Sequence, residues 1–257
     1  MKLPVIEGMR PVKDSRSWCF PTEHIKLGRN EVHVWRASLN LPEGYLSQLA
    51  QTLSDDEHLR AERFHFERDK KRFIAGRGVL RLILGYYLCV EPSQLQFCYG
   101  PHGKPYLTEE FDEGDLRFSL AHSHELAIYA FTVAREIGVD LEHVRIMPEA
   151  ENIAAGLFSI RENAAWLRLP SEQKQDAFYF CWTGKEAYIK ALGNGLAQPS
   201  GQLAVSFLLR ESARLSWVAR DEAQIIRWSL ETFVPAPGYI GALVLAGSEY
   251  RVVYVIY

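Results

Sequence analysis

Two short stretches of this chain place acids and amines where they could handle a phosphate ester. In Ile137-Gly-Val-Asp-Leu-Glu142 the acids Asp140 and Glu142 are two apart. On a strand that spacing puts both carboxylates on one face, with Val139 and Leu141 on the other. Like charges so placed repel, unless the face is wet or a cation sits between them. A hard cation such as Mg²⁺ takes such oxygen ligands and keeps several waters. Further on, Phe178-Tyr-Phe-Cys-Trp-Thr-Gly-Lys-Glu-Ala-Tyr-Ile-Lys-Ala-Leu-Gly193 reads as the second half of a long helix that stops at Gly193. Glu186 and Lys190 are four apart and share one face, near an apolar stripe of Phe178, Trp182 and Ile189. Each piece alone has a bland explanation. Two acids on a strand are a wet face, and an i,i+4 pair is a surface ion pair worth roughly 0.2–0.5 kcal/mol.

Cations that could meet an anion lie mostly upstream. A helical segment from about residue 67 carries Arg77 and Arg81, four apart and flanking Gly76 and Gly78. Glycines inside a helix cost roughly 1 kcal/mol each against alanine, so something approaches closely there, a ligand or another helix. Lys104 sits in the turn Gly100-Pro-His-Gly-Lys-Pro-Tyr106, a rigid setting that can aim one ammonium. His122 ends the strand Leu116-Arg-Phe-Ser-Leu-Ala-His-Ser123.

The elements that must position these groups follow from pattern. A strand over 31–39 is followed by a helix from Pro42 to Leu53. A capping box at Ser54-Asp-Asp-Glu57 starts a second helix. After the long helix come a short strand at 95–99, the Lys104 turn, an acidic loop over 108–115, and strands at 116–123, 126–133 and 137–142. A helix is predicted over 147–158. A second capping box, Ser159-Ile-Arg-Glu162, opens another, and Pro170-Ser171 starts the long helix that ends at Gly193. Segments 203–210, 214–220, 224–234, 239–246 and 250–257 read as strands of a meander. Each half thus offers a long Lys/Arg-bearing helix and several strands. The fold class is α+β (α/β): two similar-sized, pseudo-symmetric halves, residues 1–133 and 134–257, with the active site at their junction.

Composition narrows the function. The chain has 257 residues, 47% hydrophobic and 24% charged, with a formal charge of −3. No global basic field points to nucleic acid. No run approaches the ~20 apolar residues of a membrane span, and the N-terminus lacks a signal-peptide core. Four scattered cysteines without C-x-x-C suggest buried free thiols in a reducing cytosol. A Walker A loop is absent from the sequence.

Taken in order, the blocks resemble the phosphopantetheinyl transferases of the Sfp type. Ile137-Gly-Val-Asp-Leu-Glu142 is similar to that family's G-I/V-D-x-E strand, and Trp182-Thr-Gly-Lys-Glu-Ala-Tyr-Ile-Lys190 to its W-x-x-K-E-A/S-x-x-K helix. Gly103-Lys-Pro105, Ala121-His-Ser123, Arg63-Phe and Ala75-Gly-Arg77 add to it. The resemblance spans about residues 55 to 210. It implies an enzyme that moves the phosphopantetheine arm of coenzyme A onto a serine of an apo acyl or peptidyl carrier protein, releasing adenosine 3′,5′-bisphosphate. By the same resemblance Asp140, Glu142 and Glu186 hold Mg²⁺, Glu186 is the base, and Lys190 contacts the phosphates. Lys185 is the weaker candidate, about 100° round the helix from Glu186. Arg77, Lys104, His122 and Lys190 bind coenzyme A, with Arg60, Arg63 and Arg81 in support. A cytoplasmic monomer is expected. Three positions depart from the family pattern: Ala121 stands where a serine is common, Phe73 where some members are small and polar, and Glu57 where some carry a base. The rival readings are a non-catalytic carrier-protein or coenzyme A binder, and a different Mg²⁺-dependent phosphotransferase or pyrophosphatase.

Overall fold

Strand β1 (Glu31–Ser38) shows how the molecule is layered. Its Val32 and Val34 face one core, while Trp35 and Ala37 face another. A strand buried on both faces reads as a continuous apolar run. β1 pairs antiparallel with β5 (Leu126–Val133), and β5 with β4 (Leu116–Ser123). On one side of this sheet lies α3 (Glu67–Leu88), with α1 (Glu43–Ala50) and α2 (Asp55–Ala61) beside it. On the other side sits a second, three-stranded antiparallel sheet in the order β6 (Ile137–His143), β10 (Tyr239–Ala246), β9 (Trp228–Phe233). Ile137, Val139 and Leu141 of β6 meet Val32, Val34 and Ile128 in the core between the sheets. The outer face of the second sheet is covered by α4 (Ala150–Leu157), α5 (Ile160–Leu167) and α6 (Ser171–Leu192). The layers therefore run helix, sheet, sheet, helix, an α+β fold. The structure is a computed structural model. It describes residues 18–20, 26–111, 115–193, 203–206, 214–218 and 228–257, with only the backbone given for 203–206 and 214–218.

The two halves echo each other. α3 and α6 each have 22 residues. Each is preceded by a short helix with a capping box, Ser54/Glu57 in α2 and Ser159/Glu162 in α5. The sheets are joined through β4 and β6: Ser119 Oγ accepts from Val139 N–H at 3.1 Å, and Ser123 Oγ from His143 N–H at 3.0 Å. These hydroxyls take up backbone donors along the strand, which would otherwise be buried at a cost.

Several expectations change. The last strands do not form a meander. β9 and β10 pair antiparallel, but β11 (Arg251–Ile256) leaves them and lies parallel to β1, at the edge of the first sheet. Alternation tells which face of a strand is apolar, not which strand it joins. β7 (Leu203–Ser206) and β8 (Arg214–Val218) form their own hairpin, and the rest of the strands expected at 203–210, 214–220 and 224–227 lies outside the described residues. β2 (Phe97–Tyr99) and β3 (Pro105–Leu107) flank the Lys104 turn. The helix expected from 147 begins at Ala150, with Glu149 at its N-cap position. All four thiols are free, but Cys19, Cys89 and Cys98 are exposed and only Cys181 is buried.

Candidate active site

α6 is held against β6 by Gly138. A Cβ there would lie 1.9 Å from Ala187 O, so only a glycine lets the helix backbone sit on the strand. Gly138, Asp140 and Glu142 alternate onto the face that looks at this helix. Lys190, one turn beyond Glu186, sends its Nζ to Asp140 Oδ1 at 2.6 Å. Its ion pair thus crosses to the strand. Asp140 is 6% exposed, and its second oxygen, Oδ2, is buried without a hydrogen-bond partner. Glu142 and Glu186 are half-buried, and Ser123 Oγ donates to Glu142 Oε2 at 3.2 Å.

Burial raises all three carboxyls above their usual range. For Glu142 and Glu186 the charge of Asp140 adds to it. For Asp140, Lys190 partly offsets burial. Like charges crowded in low dielectric favour protonation, the opposite of what a cation would do. The acids are therefore electrostatically coupled. Among the described residues, however, no three His, Cys, Asp or Glu side chains stand grouped as a metal cluster.

Beside the acids opens a cleft of about 430 Å³. Phe73 and Arg77 of α3, the turn from His102 to Pro105, Phe118 to His122 of β4, Ile189 and Lys190 of α6, and Gly193 at its C-cap line it. Lys190 belongs both to the cleft and to the acids. Lys104 Nζ donates to Ile137 O at 3.2 Å and to Lys190 O at 2.6 Å, tying its turn to β6 and to the end of α6. Burial brings its ammonium down to about 8. His122 also lines the cleft. Partial desolvation, then the charges of Lys190 and Arg72, hold its imidazole below the ordinary value. Arg60 lines the mouth and lies over the Phe73 ring at 5.5 Å. The cleft thus combines cations and aromatic faces, which suits a phosphate-bearing ligand with a flat ring.

Comparison with known proteins gives the family. Residues 35–134 match the model of the 4′-phosphopantetheinyl transferase N-terminal domain, and residues 136–250 that of the 4′-phosphopantetheinyl transferase superfamily. The chain is 42% identical over 235 residues to the 4′-phosphopantetheinyl transferase HetI of Nostoc sp. (strain PCC 7120), covering 91% of this chain and 96% of that protein. The chain belongs to the 4′-phosphopantetheinyl transferase superfamily. The transferase Sfp of Bacillus subtilis (strain 168) is a more distant relative, 27% identical over 198 residues, 77% of this chain and 84% of that protein.

In this phosphopantetheinyl transferase the structure brings Arg77, Lys104, His122 and Lys190 to one cleft, but not Arg81 or Arg63. Arg81 is 0% exposed. Its guanidinium donates to Glu57 Oε2 at 2.6 Å, to Pro92 O at 2.8 Å, to Leu95 O at 3.0 Å and to Ser54 Oγ at 2.9 Å. It anchors α2 and the turn after α3 and is not presented to a ligand. Arg63 lies exposed in the turn after α2. Lys185 is likewise inward: it is 0% exposed and its Nζ meets Glu162 Oε2 and Leu157 O, both at 2.8 Å. Sequence reasoning missed Ser123, which steadies Glu142, and Ser119, which joins the sheets. Their period-2 spacing with Ala121 on β4 was the available signal. No helix among the described residues is long and apolar enough to cross a membrane.

Proposed function

We propose that this chain transfers the 4′-phosphopantetheine arm of coenzyme A to a serine of an apo carrier protein, giving the holo-carrier and adenosine 3′,5′-bisphosphate. The observation that carries this is Lys190, which lines the cleft and also grips Asp140 beside Glu186. A binder of carrier proteins or coenzyme A would not need that linkage.

Coenzyme A would lie in the cleft with its phosphates toward Lys190, Arg77 and Lys104. Glu186, one turn before Lys190 on the same helix face, takes the serine proton. The serine oxygen then attacks the β-phosphate, forming the new P–O bond, while the bond to the leaving bisphosphate breaks. Lys190 stays beside the phosphates as charge moves onto the leaving group. Lys104, fixed by two backbone carbonyls, holds the turn and α6 together around the ligand.

The acids suit Mg²⁺. Asp140 Oδ2 is a buried oxygen without a partner, and Glu142 and Glu186 supply further hard oxygens within electrostatic reach of it. Bound there, the ion would neutralise pyrophosphate charge. Residues 1–133 and 134–257 are read as the two halves, consistent with family matches that end at 134 and begin at 136. One chain supplies both walls of the cleft, so a cytosolic monomer acting on small acidic carrier proteins is the simplest working unit. The test is chromatographic detection of adenosine 3′,5′-bisphosphate from coenzyme A and an apo carrier. Glu186→Gln should release none while still binding coenzyme A. Near-normal release by that variant contradicts the assigned base.

A further inference from the structure

Three charges are buried together under the wall of the cleft. Glu57 is 0% exposed, Arg81 0% and Arg77 6%. Glu57 is the N3 residue of α2, and its Oε2 accepts from Ser54 N–H at 3.2 Å to close the capping box. The same oxygen takes the Arg81 Nε–H, so Arg81 is spent inside the fold. The other oxygen, Oε1, makes an ion pair with Arg77 Nε at 3.4 Å without a hydrogen bond. Arg77 is held on three further sides, by the rings of Phe97 and Tyr99 at 5.5 Å and of Phe73 at 6.0 Å, and its Nη2 donates to Tyr99 OH at 3.3 Å. Its Nη1 is buried, has no hydrogen-bond partner, and belongs to a residue that lines the cleft. A buried guanidinium donor is costly to leave unmatched.

The other half supplies an internal comparison. Ser159 and Glu162 form the same capping box, and Glu162 grips Lys185, 23 residues on, as Glu57 grips Arg81, 24 residues on. Where the first half has Arg77, the second has Cys181, whose thiol donates to Glu162 Oε1 at 3.5 Å. There, among the described residues, the carboxylate meets a lysine and a thiol. In the first half one carboxylate meets two arginines, and the surplus charge sits at the cleft.

We propose that Glu57 is a positioning residue for the coenzyme A site: its ion pair holds the Arg77 guanidinium at the wall of the cleft, where the unpartnered Nη1 is the donor that a ligand phosphate would take up. This rests on the coenzyme A reading of the cleft. The Glu at this position, a departure from the family pattern, thus works through an arginine instead of meeting the phosphate itself.

The experiment compares Glu57→Gln, Arg77→Met and the double variant by calorimetric Kd for coenzyme A and by steady-state transfer to an apo carrier. Glu57→Gln should weaken Kd and raise KM for coenzyme A about tenfold, the scale of one lost charge-assisted contact, with kcat and the carrier KM unchanged. In the Arg77→Met background it should cost nothing more. Ser54→Ala, which weakens the cap without touching Arg77, should lower the melting temperature and leave Kd alone. Where the glutamine variant does not fold, Glu57→Asp withdraws the carboxylate from Arg77 by one methylene and reads the same loss. Wild-type Kd in the Glu57 variants, or losses that add to those of Arg77→Met, overturn the proposal. A wild-type protein that binds coenzyme A but transfers nothing overturns the transferase reading alone, and the Kd comparison still decides the role of Glu57.

Discussion

Gly138→Ala should disable the enzyme without touching a charged group. The added Cβ would lie 1.9 Å from Ala187 O, 2.4 Å from Ala191 N and 3.0 Å from Ala191 Cα, all backbone atoms that cannot rotate away. Ordinary contact begins at 3.4 Å, so α6 must lift by about 1.5 Å. Ala187 follows Glu186 and Ala191 follows Lys190, so the displacement is delivered to the proposed base and to the amine. The 2.6 Å bond from Lys190 to Asp140 does not survive such a shift. Overpacking of this kind costs ~1–3 kcal/mol, and contact with fixed backbone places it near the upper end. For a chain of this size that is roughly 6–12 °C in melting temperature. Misplacing a catalytic group by ~1 Å costs about 10²-fold in rate. The assay is initial-rate release of adenosine 3′,5′-bisphosphate beside a circular dichroism melt. Gly156→Ala is the control: it is exposed near the end of α4 with nothing within 4 Å, and should be neutral or stabilising by up to ~1 kcal/mol. A Gly138→Ala protein that melts like wild type and keeps its rate within roughly threefold would refute the close-packing argument.

Asp140→Asn removes a carboxyl that burial has raised; it should abolish transfer yet hold or increase the melting temperature at pH 7, and a marked loss of stability would show that the Asp140–Lys190 pair supports the fold. Lys185→Met leaves Glu162 buried without its cation and should destabilise by ~3–5 kcal/mol in urea titration, while any folded fraction keeps its coenzyme A KM. Lys104 is lowered to about 8 from 10.5, so between those values the unfolded chain holds more protons. Its contribution to stability therefore rises with pH across that window, while its charge for phosphate is lost. kcat/KM for coenzyme A should fall above pH about 8, and Lys104→Arg should remove that limb.

Local rules carried much of this site. A period of two fixed which face Asp140 and Glu142 share, and the left-handed Gly193, at φ 71°, ends α6 where helix-stop chemistry requires. Both capping boxes form. What local pattern could not decide was the fate of similar cations on one helix. Arg77 and Arg81 are one turn apart, yet one lines the cleft and the other is consumed by carbonyls of Pro92 and Leu95, whose position depends on the turn after α3. Lys185 is buried because α5 brings Glu162 to it, a tertiary fact. The parallel pairing of β11 with β1 joins residues more than 200 positions apart, beyond any periodicity argument.

The most direct test is intact-mass spectrometry of an apo carrier protein incubated with this protein and coenzyme A, with Mg²⁺ and with a chelator. The account predicts a gain of one phosphopantetheine on the carrier serine that needs the metal and is absent with Glu186→Gln. An unmodified carrier in every mixture, despite measurable coenzyme A binding, would contradict it.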